Sequence, residues 1–114
     1  MATSKRLICA AADLAEAGKA VRFEVVRHGR REPAFVLRYA GQPRAYLNRC
    51  GHVPAELDFQ PGEFFDHSRL YLICSLHGAL YDPETGQCLS GRCNGHGLIP
   101  LHAVEQDGAI YIKD

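Results

Sequence analysis

The chain has 114 residues, and its 13 Lys and Arg balance its 13 Asp and Glu, so the formal charge at pH 7 is zero with neutral histidines. Without a basic stripe it lacks the concentrated positive footprint that nucleic-acid phosphates demand. No apolar run approaches the roughly 20 residues of a membrane-spanning helix, and the length suits one modest domain that a metal staple would help to hold.

In chain order, Lys5 to Cys9 reads as a first strand. The apolar stretch Leu7 to Ala12 stops at Asp13, too short for a signal-peptide core, so a soluble, cytoplasmic protein is expected. Ala11 to Gly18 is alanine-rich, with Gly18 ending a short helix or turn. Ala20 to Arg27 alternates Val21, Phe23 and Val25 with polar neighbours, the pattern of a half-buried strand. Gly29-Arg30-Arg31 predicts a turn, Pro33 to Tyr39 a strand, and Gly41-Gln42 a turn into the strand that ends near Cys50. Leu70-Tyr71-Leu72-Ile73 is a β-prone run leading to Cys74. Leu101 to Gln106 and Ala109 to Lys113 form a hairpin around a tight Asp107-Gly108 turn. The expectation is a single all-β domain over residues 1–114, with a loop-rich insert from about Asn48 to Leu98.

That insert carries two short pairs, Cys50-Gly51-His52 and Cys74-Ser75-Leu76-His77. Two thiolates and two imidazoles on separate loops make a four-ligand metal set. It suits a 2Fe–2S cluster with two Cys on one iron and two His on the other, and it also suits a tetrahedral structural zinc. With five Cys and six His, each spacing arises by chance about 0.3 times, so the flanks must discriminate. Both pairs follow strand-like runs, Gly51 separates the first two ligands, and Gly78 after His77 permits tight backbone passage. A third pair, Cys93-Asn94-Gly95-His96, sits in a Gly-rich loop with no strand leading into it.

The other candidates have plainer readings. Cys9 fits a small buried hydrophobe. Cys88 and Cys93 can meet over a turn, but a reducing compartment favours thiols there. His28, His67 and His102 occupy polar surroundings expected at the surface, Tyr71 and Phe64-Phe65 read as packing, and Glu63 and Asp66 as solvated acids. No nucleophile elbow, phosphate loop or dinucleotide fingerprint appears, and no residue is assigned a catalytic role.

From Asn48 to Leu101 the chain resembles a Rieske-type iron–sulfur domain. The resemblance rests on Cys50-x-His52, on Cys74-Ser75-Leu76-His77-Gly78-Ala79-Leu80-Tyr81-Asp82, and on Thr85-Gly86 and Gly91. It is nearest to the soluble ferredoxins of ring-hydroxylating oxygenases and to nitrite-reductase small subunits, and the terminal thirds fit the same antiparallel β-sandwich. The resemblance implies one 2Fe–2S cluster per chain, with Cys50 and Cys74 on one iron and His52 and His77 on the other. It implies one-electron transfer from a flavin-type NAD(P)H reductase to a terminal oxygenase or other oxidoreductase, both docking at the His52/His77 tip. A non-shuttling regulatory or structural subunit, and a zinc-stapled interaction module, are the alternatives.

Departures from the family pattern are specific. The respiratory members' cluster-bridging disulfide has no counterpart, because Ala55 and Leu76 occupy those positions. The 21-residue gap between His52 and Cys74 is long, which opens the conformation of Glu56 to Arg69, and Arg92-Cys93 follow Gly91 where many relatives have proline. Two thiolates and two neutral imidazoles bring a dicationic all-ferric core to zero charge, which places such centres at about −150 to +300 mV. High-potential relatives carry a serine and a tyrosine where this chain has Ala79 and Tyr81, so the expected potential lies in the lower half of that range.

Overall fold

The computed structural model describes residues 5–50, 55–58, 60–75, 78–91, 93 and 96–113, and these form nine strands in two antiparallel sheets. The alternation at Val21, Phe23 and Val25 produces β2 (Val21–Arg27), whose residues are half-buried and exposed in turn. It pairs with β3 (Arg30–Tyr39), and β3 with β4 (Gln42–Leu47). β8 (Pro100–Gln106) adds to β4, β9 (Ala109–Lys113) to β8, and β1 (Lys5–Ala10) closes the six-strand order β1-β9-β8-β4-β3-β2. Between β4 and β8 in sequence lies the second sheet, β5 (Leu72–Ile73), β6 (Leu80–Tyr81) and β7 (Cys88–Ser90). Among the described residues no helix is long and apolar enough to cross a membrane.

Three hairpins share one turn chemistry. His28-Gly29, Ala40-Gly41 and Asp107-Gly108 all have positive φ, between +52° and +77°, at both central residues, as two-residue type I′ turns require. Glycine takes the second turn position each time, so Arg30 and Gln42 already belong to strands. The turns expected at Gly29–Arg31 and Gly41–Gln42 therefore begin one residue earlier.

The alanine-rich segment forms only a 3₁₀ turn at Ala11–Asp13. Tertiary bonds capture the segment around it. Arg38 donates to the carbonyls of Leu14 (2.9 Å) and Ala11 (3.1 Å), and the Glu16 carboxylate accepts the Ala40 and Gly41 amides at 2.7 and 2.8 Å. A segment this short gains too little from helix propagation to offset its nucleation cost.

β3 around its centre and β4 over its last three residues are buried on both faces, and their alternating side chains feed two cores. Val36 and Ala45 pack with Leu14, Ile110 and Ile112 on one side. Phe35, Leu37 and Tyr46 point to the other, where they meet Leu57, Phe64, Leu72, Tyr81, Leu98 and three cysteines. Phe35 and Phe64 stack with centroids 3.8 Å apart, so Phe64 serves packing, and the chain between the two cysteine loops is anchored. Its Gly62 carbonyl also accepts the Ala20 amide at 2.9 Å.

Tyr46 clamps the β6–β7 turn. Its hydroxyl donates to the Pro83 carbonyl at 2.7 Å, and a Cβ on Gly86 would stand 2.8 Å from its ring. Burial first, with Asp82 and Glu84 adding to it and Arg44 opposing, pushes the Tyr46 phenol from 10.0 up to about 12. The native state thus keeps a proton that the unfolded chain loses above pH 10. Its contribution is complete below that pH and is lost as pH rises through about 12. Tyr46→Phe is expected to cost about 1–2 kcal/mol at pH 9, with the gap to the parent narrowing above pH 10. Thermal unfolding of both proteins across that range measures it.

Candidate metal centre

The first cysteine loop begins where β4 ends. Asn48, 1% exposed, turns the chain: its amide donates to Pro33 O (2.8 Å), its side-chain oxygen accepts the Leu57 amide (2.8 Å), and its side-chain nitrogen donates to Asp58 Oδ1 (2.8 Å). Asp58 Oδ2 accepts the Gly62 amide at 2.9 Å and faces Arg22 Nε at 3.4 Å. Within this frame the Cys50 amide closes onto Ala55 O at 2.8 Å. Asn48 and Asp58 were not singled out by sequence. The only sign available was a polar residue closing an apolar run.

The second loop follows β5 directly. The Cys74 amide donates to Ala79 O (2.9 Å) and the Gly78 amide to Cys74 O (2.8 Å). Among the described residues nothing lies within 4 Å of where a Gly78 Cβ would stand, and the backbone there takes a φ of +70° that glycine adopts without strain. Ser75 joins the two loops: its amide reaches Leu57 O at 3.0 Å and its hydroxyl donates to the same oxygen. Leu57 therefore donates its amide to Asn48 at the first loop and accepts Ser75 of the second at its carbonyl, while its side chain is fully buried.

Cys50 and Cys74 thus lie in one core, 3% and 0% exposed, with Tyr81. The Tyr81 hydroxyl is 3.5 Å from Cys50 Sγ, and once that sulfur is a thiolate only the phenol can donate. A free thiolate buried here would suffer a large desolvation cost, which iron binding removes, so the sulfurs fit a metal centre. His52 and His77 lie outside the described residues, as do Gly51, Val53, Pro54, Leu76 and Arg92. Were Cys50 to ligate a cluster, a hydrogen bond from Tyr81 would stabilise the more negative reduced state. Tyr81→Phe is expected to lower the midpoint by about 20–60 mV, the one-electron equivalent of about 0.5–1.5 kcal/mol. Redox titration checks this, and an unchanged midpoint would reduce Tyr81 to packing.

One expectation about cysteine changes. Cys88 and Cys93 form a disulfide, Cα–Cα 6.0 Å, because the bend after β7 brings them within bonding range. That bond removes Cys93 from any ligand set with His96, which is exposed. Cys9 is half-buried against the first core, and burial, with Asp13 adding and Arg38 opposing, pushes its thiol up, consistent with an inert residue. His28, His67 and His102 are exposed.

Comparison with solved structures returns the same architecture. The chain superposes on the ferredoxin of carbazole 1,9a-dioxygenase from Nocardioides aromaticivorans IC177 with TM-score 0.75 and 23% identity over 96% of each chain. A Sphingomonas yanoikuyae B1 ferredoxin gives TM-score 0.70 and 22% identity, over 97% of this chain and 99% of that one. The quaternary ammonium Rieske monooxygenase CntA gives 0.75 and 21%, over 97% of this chain but 31% of that one. No curated protein matches the chain at a significant level. The model of the Rieske [2Fe-2S] domain matches residues 4–106, and with two buried cysteines on segments joined at Leu57 the chain belongs to that family, whose members carry one 2Fe–2S cluster per domain.

Proposed function

We propose that this protein is a one-electron carrier, with Cys50 and Cys74 holding one iron through sulfur and His52 and His77 the other through a ring nitrogen. The observation that carries this reading is the joint burial of Cys50 and Cys74 on two loops tied at Leu57, with the Tyr81 hydroxyl on Cys50 Sγ. The bound cluster supplies a reversible one-electron couple. The protein's own residues do the rest. Asn48 and Asp58 set the Cys50 loop, the Cys74–Ala79 bond sets the other, and Phe64, Leu72 and Tyr81 keep water from the thiolate side.

The imidazoles form the partner-facing tip. Electrons arrive from a flavin-type NAD(P)H reductase and leave to a terminal oxygenase or other oxidoreductase, all in the cytoplasm. One similar structure is a complex of reduced oxygenase and oxidized ferredoxin in carbazole 1,9a-dioxygenase, which supports an oxygenase as acceptor. Transient redox docking buries little surface, below about 1,200 Å², so fast exchange with weak affinity is expected. Anaerobic purification followed by absorption and low-temperature EPR spectra tests the reading. A red-brown protein with about two irons per chain and a Rieske-type signal on dithionite reduction supports it. A colourless, zinc-containing protein would refute it.

A further inference from the structure

We propose that the Cys88–Cys93 disulfide positions the cluster: it holds the segment carrying Gly91 and Cys93 against the Cys74 loop, so that reducing it alters both the midpoint and the retention of iron. The inference rests on the ligand reading above. Cys88 opens β7 and is the register partner of Tyr81, the residue whose hydroxyl lies on Cys50 Sγ. Cys93 is fully buried in the core that holds Cys50, Cys74 and Ala79. Gly91, with φ of +94°, lies so close to Ala79 that a Cβ on it would stand 2.8 Å from Ala79 Cα. Ala79 in turn accepts the Cys74 amide. A short path therefore runs from the disulfide through Gly91 and Ala79 to a ligand loop.

Among the described residues, the next tie along the chain is at Gly97 and Leu98, where the Leu98 amide donates to Gly86 O at 2.8 Å and a Cβ on Gly97 would stand 2.6 Å from that same oxygen. The 2.7 Å bond from the His96 amide to Cys93 O lies within the loop. Among the described residues, the covalent bond to β7 and the burial of Cys93 in the core fix it ahead of that tie.

Its reduction balances as a thiol–disulfide exchange with a dithiol reductant. A thiolate of the reductant attacks the half-buried Cys88 sulfur, the S–S bond breaks, and the buried Cys93 sulfur leaves and takes a proton. The reductant's second thiol then displaces Cys88, leaving two protein thiols and one oxidised reductant. The Cys93 thiol, 3.4 Å from Ser90 O, has an acceptor at hand, but the two sulfurs, no longer bonded, must move apart to van der Waals distance, which displaces the segment. Loosening this segment admits water to the Cys74 side. Hydration favours the more charged, reduced cluster, so the midpoint rises, and iron escapes faster.

The test uses the holoprotein under anaerobic conditions, before and after a phosphine reductant. A mass gain of two hydrogens reports the open disulfide. Iron transfer to a chelator and redox titration report the cluster. The expected result is iron loss accelerated about tenfold and a midpoint shifted upward, both reversed on reoxidation. The Cys88→Ser/Cys93→Ser double variant should match the reduced protein, and if it does not fold the phosphine-treated parent gives the same comparison. A clustered protein whose iron loss and midpoint ignore the disulfide overturns this proposal alone. A protein that has the disulfide but no cluster overturns the functional reading and this proposal with it.

Discussion

Replacing His77 by Ala is expected to abolish the cluster, whereas His96→Ala leaves it intact. The two histidines share the same Cys-x-x-His spacing, so the pair of variants separates motif from site. Cys74, the partner of His77, is buried beside Cys50 and Tyr81, whereas Cys93, the partner of His96, is bonded to Cys88. An imidazole lost from a four-ligand set opens one iron to water, and the cluster does not survive. Cys74→Ser should behave like His77→Ala. Iron content and the absorption of the purified variants give the answer directly. If His96→Ala bleaches the protein and His77→Ala does not, the ligand set is wrong.

Asn48→Leu is expected to have the largest effect of any change outside the ligands. It leaves the Leu57 amide without its acceptor and removes a donor from a carboxylate whose side chain is wholly buried. Breaking a buried, charge-bearing network in this way costs about 3–5 kcal/mol. For a domain of this size that lowers the melting temperature by about 15 °C or more. Because Leu57 also receives Ser75, both cysteine loops loosen together, so cluster occupancy falls as well. Arg22→Lys supplies the contrast. The Arg22 side chain is more than a third exposed, and its pairing with Asp58 at 3.4 Å is worth less than about 1 kcal/mol. A shift below about 4 °C for Asn48→Leu would show that the network is not what holds the loops.

The strands were legible where local chemistry is self-sufficient. Period-two alternation at Val21 to Val25 and the Asp107-Gly108 turn each specify their structure within a few residues. The one-residue displacement at His28 and Ala40 shows the limit. A type I′ turn needs a left-handed residue before the glycine, and neither histidine nor alanine advertises that conformation. The alanine-rich stretch, expected as a short helix or turn, takes the turn, and the carbonyl bonds from Arg38, a residue some two dozen positions away, keep it from extending further.

By itself the sequence determined the all-β class, the family, and the two Cys–His pairs, because ligand chemistry and turn chemistry are written in residues close together in the chain. Tertiary structure alone decided how those pairs are supported: the Asn48–Asp58 network, the meeting of both loops at Leu57, and the phenol of Tyr81 on Cys50 Sγ. It also decided that Cys88 and Cys93 join rather than remain thiols, a choice made by a 6.0 Å Cα separation that no spacing rule reveals. Hydrogen bonds and disulfides depend on distances of a few ångströms between segments, and those distances exist only once the sheets have packed.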